Sequence, residues 1–156
     1  MDEKIRKYLL LFKQRSLVDL LNISGSFELL CNLLTEEEID ILAENNVLFI
    51  RSCSPSSKID LEGVIINGNL TLINFDANIF SLLLPDEIIA VLLHEIGHVL
   101  NQDLQGMDAE YAADNFAVQK DYARWIVSSL NKGIHNNWLG FNREECNLRI
   151  ANIQNH

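Results

Sequence analysis

The sequence predicts an α+β fold, and three observations carry that reading. Apolar residues recur at helical spacing over several long stretches, an Asn-Gly pair stands between two short β-rich runs, and helix-start signals occur at Thr35 and Pro85. The architecture this implies is a small, mostly antiparallel three-stranded sheet packed on a central apolar helix, with a second long helix after it and flanking helices around both. With 156 residues and 48% hydrophobic composition, the chain is long and apolar enough for one domain with a real core.

The elements follow in order. Helical periodicity runs from about Ile5 to Leu21, Ser24-Gly25-Ser26 punctuates it, and a second apolar run covers Phe27 to Leu34. Thr35 followed by Glu38 is a capping-box signature: the hydroxyl and the carboxylate satisfy each other's backbone N–H groups. It opens a helix to about Asn45 and completes a helical part over residues 1–46. Val47 to Ile50 is a short β-rich run, and Ser52 to Lys58 reads as a loop. Val64-Ile65-Ile66, Asn67-Gly68-Asn69 and Leu70-Thr71-Leu72-Ile73 form a hairpin signal, because Asn-Gly supplies the positive φ angles of a tight turn. These runs make up a sheet region at 47–75. Pro85 sits at a favoured first helical position, with Asp86 and Glu87 where the helix dipole prefers acids, so a helix runs from there to about Asn101. A further helix is expected from Asp108 to Leu130, a loop at Lys132 to Asn137, and a closing helix at Asn142 to Ile153.

Composition excludes several function classes. The 12 Lys and Arg against 22 Asp and Glu leave a net charge of −10, which repels phosphate backbones, so nucleic acid is not an expected partner. The basic stretch Lys4, Arg6, Lys7, Lys13 and Arg15 is interleaved with Ile5, Tyr8, Leu9, Leu10, Leu11 and Phe12, the pattern of an amphipathic helix on a core. No run approaches the ~18 apolar residues of a membrane span, and Asp2-Glu3 at the start is unlike a signal peptide, so a cytoplasmic location is expected. Cys31, Cys53 and Cys146 are widely spaced, without C-x-x-C, and point to neither a disulfide framework nor a thiolate metal site.

The residues that carry chemistry are His94-Glu95-Ile96-Gly97-His98, an H-E-x-x-H run. On a helix, positions four apart differ by about 40° in direction and about 6 Å in rise, so both imidazoles reach toward one cation. Neutral imidazole nitrogens suit zinc, and Glu95 between them is placed to take a proton from water held by the metal. By ordinary residue frequencies such a run arises by accident in about one chain in several hundred of this size. Its setting argues against accident. Ile88, Ile89, Ala90, Val91, Leu92, Leu93, Ile96, Val99 and Leu100 surround it, and ionisable groups in so apolar a helix are costly unless paired or coordinated. Gly97 costs about 1 kcal/mol against Ala inside a helix, which makes sense where another element comes close.

A catalytic zinc commonly takes three protein ligands, and Glu110 is the best candidate for the third. It stands in a helix where Ala109, Ala112, Ala113 and Ala117 permit close helix approach. Asp114, one turn on, is placed to accept the remaining N–H of a ligating histidine and fix its tautomer.

At these residues the sequence resembles the gluzincin metallopeptidases, which pair H-E-x-x-H with a glutamate on a following helix. More narrowly, Pro85 to His98 and Glu110-Tyr111-Ala112-Ala113-Asp114 resemble the HtpX and CAAX-prenyl-protease type, and the soluble minigluzincins are nearest in size. The ImmA/IrrE-type peptidases, which act on repressors, share H-E-[LI]-G-H and a related downstream segment. The likeness is specific over about 33 residues, Pro85 to Ala117, and weaker over the hairpin and over Arg143 to Ile153. It implies a zincin-like minimal metallopeptidase domain with metal-site helices at 85–130 and a C-terminal segment at 131–156. It also implies one zinc held by His94, His98 and Glu110, with Glu95 as general base and acid and Asp114 supporting His94. The chain departs from the membrane members in lacking hydrophobic spans, so a lipidated substrate is not implied.

The resulting expectation is a zinc-dependent endopeptidase acting on a peptide or protein. Extended substrate would lie along an edge strand at Leu70, Thr71, Leu72, Ile73 and Asn74. The developing oxyanion needs a donor besides the metal, and Arg149, Arg143, His135 and Tyr111 are the candidates. Two other readings attach to the same residues: a zinc-containing protein-binding module, and a peptidase whose own segment Trp138 to His156 covers its cleft.

Overall fold

The computed structural model describes residues 3–52, 68–138 and 141–155. The chain forms two compact units, Met1–Pro85 and Asp86–His156. Among the described residues the first unit holds α1 (Glu3–Leu10), α2 (Arg15–Ile23), α3 (Ser26–Leu33), α4 (Glu36–Glu44), β1 (Val47–Ser52), β2 (Thr71–Asp76) and the short α5 (Ala77–Phe80). The second holds α6 (Pro85–Leu100), α7 (Gly106–Gln119), α8 (Ala123–Asn136) and α9 (Arg143–Gln154).

In the N-terminal unit the continuous helix expected from Ile5 to Leu21 is broken between α1 and α2. The break serves β1: Phe12 bridges Phe49 in parallel, and the Phe49 N–H donates to the Leu11 carbonyl at 2.9 Å. The Gln14 side chain takes both main-chain groups of Arg51, accepting from its N–H at 2.6 Å and donating to its carbonyl at 3.1 Å. Backbone groups along this side of β1 are thereby satisfied without a full strand. The capping box at α4 forms as the sequence predicts: Glu38 N–H donates to Thr35 Oγ1 at 3.1 Å, and Thr35 N–H to Glu38 Oε2 at 2.7 Å.

The sheet corrects the sequence reading. Among the described residues it has two strands, paired in parallel with Val47 opposite Thr71 and Ser52 opposite Asp76, in place of three mostly antiparallel ones. The fold is therefore mainly helical with a small parallel sheet. Leu70 precedes β2, and Val64 to Ile66, the other arm of the expected hairpin, lies outside the described residues. Parallel strands require a long crossover, and a local Asn-Gly turn cannot supply one. The pairing is fixed instead by a buried aromatic chain: Phe12 stacks on Phe49 at 4.8 Å, Phe49 meets Phe75 at 6.0 Å, and Phe75 meets Phe80 edge-on at 4.7 Å. Tyr8, Leu17, Leu30, Ile39 and Leu42 close this core.

In the C-terminal unit α6 buries most of its length, as an all-round apolar helix should. The helix expected from Asp108 to Leu130 is two helices, α7 and α8. Asp121 at φ 69° turns the chain, and the Lys120 and Tyr122 N–H groups both donate to the Ala117 carbonyl, at 3.2 and 3.0 Å. This tight stop puts Tyr122 into the interior. The loop expected at Lys132 to Asn137 is instead largely helix, since α8 runs on to Asn136. Asn142 caps α9, its side chain accepting from the N–H groups of Glu144 and Glu145, and α9 packs on α7 and α8. Among the described residues no helix is long and apolar enough to cross a membrane.

Candidate metal centre

His94 and His98 lie one turn apart on α6, and helix periodicity alone aims both rings to one side. Their Nε2 atoms are 3.1 Å apart. From α7, Glu110 presents Oε2 at 3.5 Å from His94 Nε2 and Oε1 at 3.4 Å from His98 Nε2. Ligand atoms held about 2.0–2.1 Å from a tetrahedral ion stand about 3.4 Å from one another. The spacing of this triangle therefore fits a metal, and His94, His98 and Glu110 can hold one.

The close approach of α6 and α7 depends on Gly97. A Cβ there would stand 2.7 Å from the Ala113 Cα and 2.8 Å from its carbonyl oxygen, so the helix tolerates no side chain at that point. Small residues on both surfaces bring Glu110 within reach of the two rings.

Asp114 is wholly buried one turn beyond Glu110, with Oδ1 at 2.8 Å from His94 Nδ1. A hydrogen on Nδ1 donated to this carboxylate leaves the Nε2 lone pair facing the triangle, the tautomer a metal requires. Arg149 of α9 closes the arrangement. Its Nε and Nη2 donate to the two oxygens of Asp114 at 2.9 and 2.7 Å, and its Nη1 stands 2.9 Å from Glu110 Oε2. Nη2 also lies 3.1 Å from Nδ1 and 3.3 Å from Nε2 of His94.

These contacts set the charges. Burial pushes the Asp114 carboxyl upward, but hydrogen bonds from Arg149 and His94 outweigh it and hold the group below its ordinary value. The hydrogen bond with His98 lowers Glu110, and the same bond raises His98 against the opposing effect of burial. Burial works against the Arg149 cation, yet its bonds to Asp114 raise it above its already high value.

A cavity of about 220 Å³ opens on this cluster, lined on its polar side by His94, Glu95, His98, Glu110 and Arg149. Of the four oxyanion candidates, Arg149 alone is among its lining residues. Tyr111 is half-buried on α7 outside that lining, Arg143 is exposed and borders a separate surface depression, and His135 is exposed in the last turn of α8. Thr71, Leu72, Ile73 and Asn74 form the start of β2, in the N-terminal unit, where Ile73 is buried and Leu72 and Asn74 are exposed; Leu70 lies just before the strand.

Sequence reasoning passed over Val91, Ile126, Ser129 and Leu130 as cavity lining, whereas Phe141, Glu145 and Cys146 lie in the segment Trp138 to His156 that one reading placed over the cleft. Part of the lining was signalled, since Glu145, Cys146 and Arg149 are spaced to share a helix face, but nothing local ties that face to α6. Compared with known proteins, the chain matches no family model, no curated protein and no solved structure. What the site can do follows from its own donor set and shape.

Proposed function

We propose that this protein is a zinc-dependent metallopeptidase of gluzincin type, hydrolysing peptide bonds. The observation that carries the proposal is the convergence of His94, His98 and Glu110, the two Nε2 atoms 3.1 Å apart and each 3.4–3.5 Å from a Glu110 carboxylate oxygen, with Glu95 lining the same cavity. Two imidazoles and one carboxylate leave a position open, the donor pattern of catalytic rather than structural zinc. A zinc ion there would supply Lewis acidity, which activates water and polarises a carbonyl.

The chain's own groups supply the rest. Glu95 takes the proton of the attacking water and passes it to the leaving amine, the role a half-buried carboxylate beside the ligands can serve. Arg149 contributes positive charge beside the ligands, where negative charge develops on the carbonyl oxygen, and its fork on Asp114 keeps it there. Asp114 holds the tautomer and angle of His94.

The test begins with elemental analysis of protein purified without a metal-affinity tag. About one zinc per chain is expected, together with cleavage of a peptide library that falls by about 10²–10⁴-fold in Glu95→Gln while the metal is retained. Two imidazoles and a carboxylate also serve iron(II) oxygenases, so the identity of the ion is part of the result. Protein that stays free of zinc after reconstitution, or hydrolysis that survives Glu95→Gln, would overturn the proposal.

A further inference from the structure

The cavity beside the ligands has a mixed lining. Along with the charged groups, Val91, Ile126, Leu130 and Phe141 give it apolar surface. Ser129 is part of the same lining, but its hydroxyl donates to the Ile126 carbonyl at 2.8 Å and is already engaged. Glu145 lines the cavity too and keeps contact with solvent.

Phe141 is held as a wall. Its ring occupies the space where a side chain at position 133 would begin: a Cβ built on Gly133 would meet Cδ1, Cε1 and Cγ of Phe141. A glycine inside α8 costs about 1 kcal/mol against alanine, and the seating of this ring accounts for its presence. The ring also meets Trp138 edge-on, centroids 5.6 Å apart, and the Phe141 N–H donates to the Trp138 carbonyl at 3.1 Å. Packed against both α8 and Trp138, the ring bounds the cavity.

We infer that Phe141, seated on Gly133, is the specificity-determining residue of this site, and that the side chain accepted beside the metal is apolar and no larger than one aromatic ring. The expected size comes from matching the cavity's volume. An apolar cavity of about 150 Å³ holds one benzene, and the 220 Å³ here is shared between that side chain and the reacting groups. That the occupant belongs to a peptide substrate rests on the metallopeptidase reading; the shape and polarity of the pocket do not.

The experiment uses hydroxamates, which bind a metal without turnover. On the zinc-loaded protein, calorimetry compares acetohydroxamate with a hydroxamate carrying a benzyl group and one carrying a naphthylmethyl group. The benzyl compound is expected to bind at least tenfold more tightly than acetohydroxamate, and the naphthyl compound to lose that gain. Phe141→Ala, or Phe141→Leu if the alanine variant fails to fold, should restore binding of the naphthyl compound by tenfold or more. Gly133→Ala, by displacing the ring, should erase the benzyl advantage. Equal affinity for acetohydroxamate and the benzyl compound, or the same ranking after substitution of Phe141, overturns the inference and leaves the peptidase reading standing. If no hydroxamate binds and no peptide is cleaved, the peptidase reading falls, and toluene added to the metal-free protein decides the pocket separately. Methyl resonances of Val91, Ile126 and Leu130 that shift on that addition support it, and unmoved resonances overturn it.

Discussion

Helix α6 carries two buried ionisable groups seven residues apart, and they are treated in opposite ways. Glu87, wholly buried in the first turn, is closed off: Lys132 Nζ reaches its Oε2 at 2.6 Å and Ser128 Oγ donates to its Oε1 at 2.6 Å. Around His94 there is more charge and less closure. Arg149 and the His94 Nδ1 engage Asp114, yet the Nε2 atoms of both histidines and the Glu110 carboxylate still converge within 3.1–3.5 Å beside a cavity. A buried ionisable group that serves structure ends on its partners, whereas one that serves chemistry keeps a lone pair aimed at open space. Both clusters must repay the cost of burial, and the second has atoms left over.

The largest effect expected from breaking the open cluster is in Glu110→Ala. It removes one of the three donors from the triangle and leaves two imidazoles, so metal content should drop from about one ion per chain to a trace by elemental analysis. Retained stoichiometric metal would mean that the ion sits elsewhere. Asp114→Asn comes next and acts on two quantities at once. It uncouples His94 Nδ1 from a carboxylate, which typically lowers metal affinity about 10–100-fold. It also leaves the buried guanidinium of Arg149 with Glu110 as its remaining ion-pair partner in the cluster, which should destabilise the metal-free protein by about 3 kcal/mol in denaturant unfolding. A variant that lost affinity without losing stability would show that Arg149 had found another counter-charge.

How far these features could be read in the sequence follows from how local they are. His94, Glu95 and His98 share one helix turn, and Glu110 and Asp114 share another, so periodicity alone orients each set. Arg149 stood among four candidates because its selection depends on α9 packing on α7, a contact between positions 35 residues apart. The part of the cavity's lining from α8 and from Val91 went unread for the same reason, since no local pattern ties those positions to the metal-site residues. The sheet was misread because Asn67-Gly68 is a strong local signal, while the pairing of Val47 with Thr71 is non-local and rests on aromatic packing. The two broken helices carry neither glycine nor proline at their breaks. Residues 11–14 leave the helix to satisfy β1, and 120–122 leave it to bury Tyr122. Glu87 matched the rule for acids in a first helical turn, and the rule concealed its burial.

The smallest of the expected effects, Glu87→Gln, sharpens the comparison most. The amide keeps the shape of the carboxylate and an oxygen that accepts from Ser128, so the packing of α6 on α8 is retained. What is lost is the charge on one partner of a pair whose other member, Lys132, is about one-third exposed. Because that ammonium can turn toward water, the loss should fall well short of a fully buried pair, about 1–2 kcal/mol by denaturant unfolding. Metal content and the hydroxamate ranking should not move, since Glu87 is not among the lining residues of the cavity. If Glu87→Gln instead emptied the metal centre, the two clusters on α6 would be one electrostatic unit. The distinction between closed and open charge on this helix would then fail.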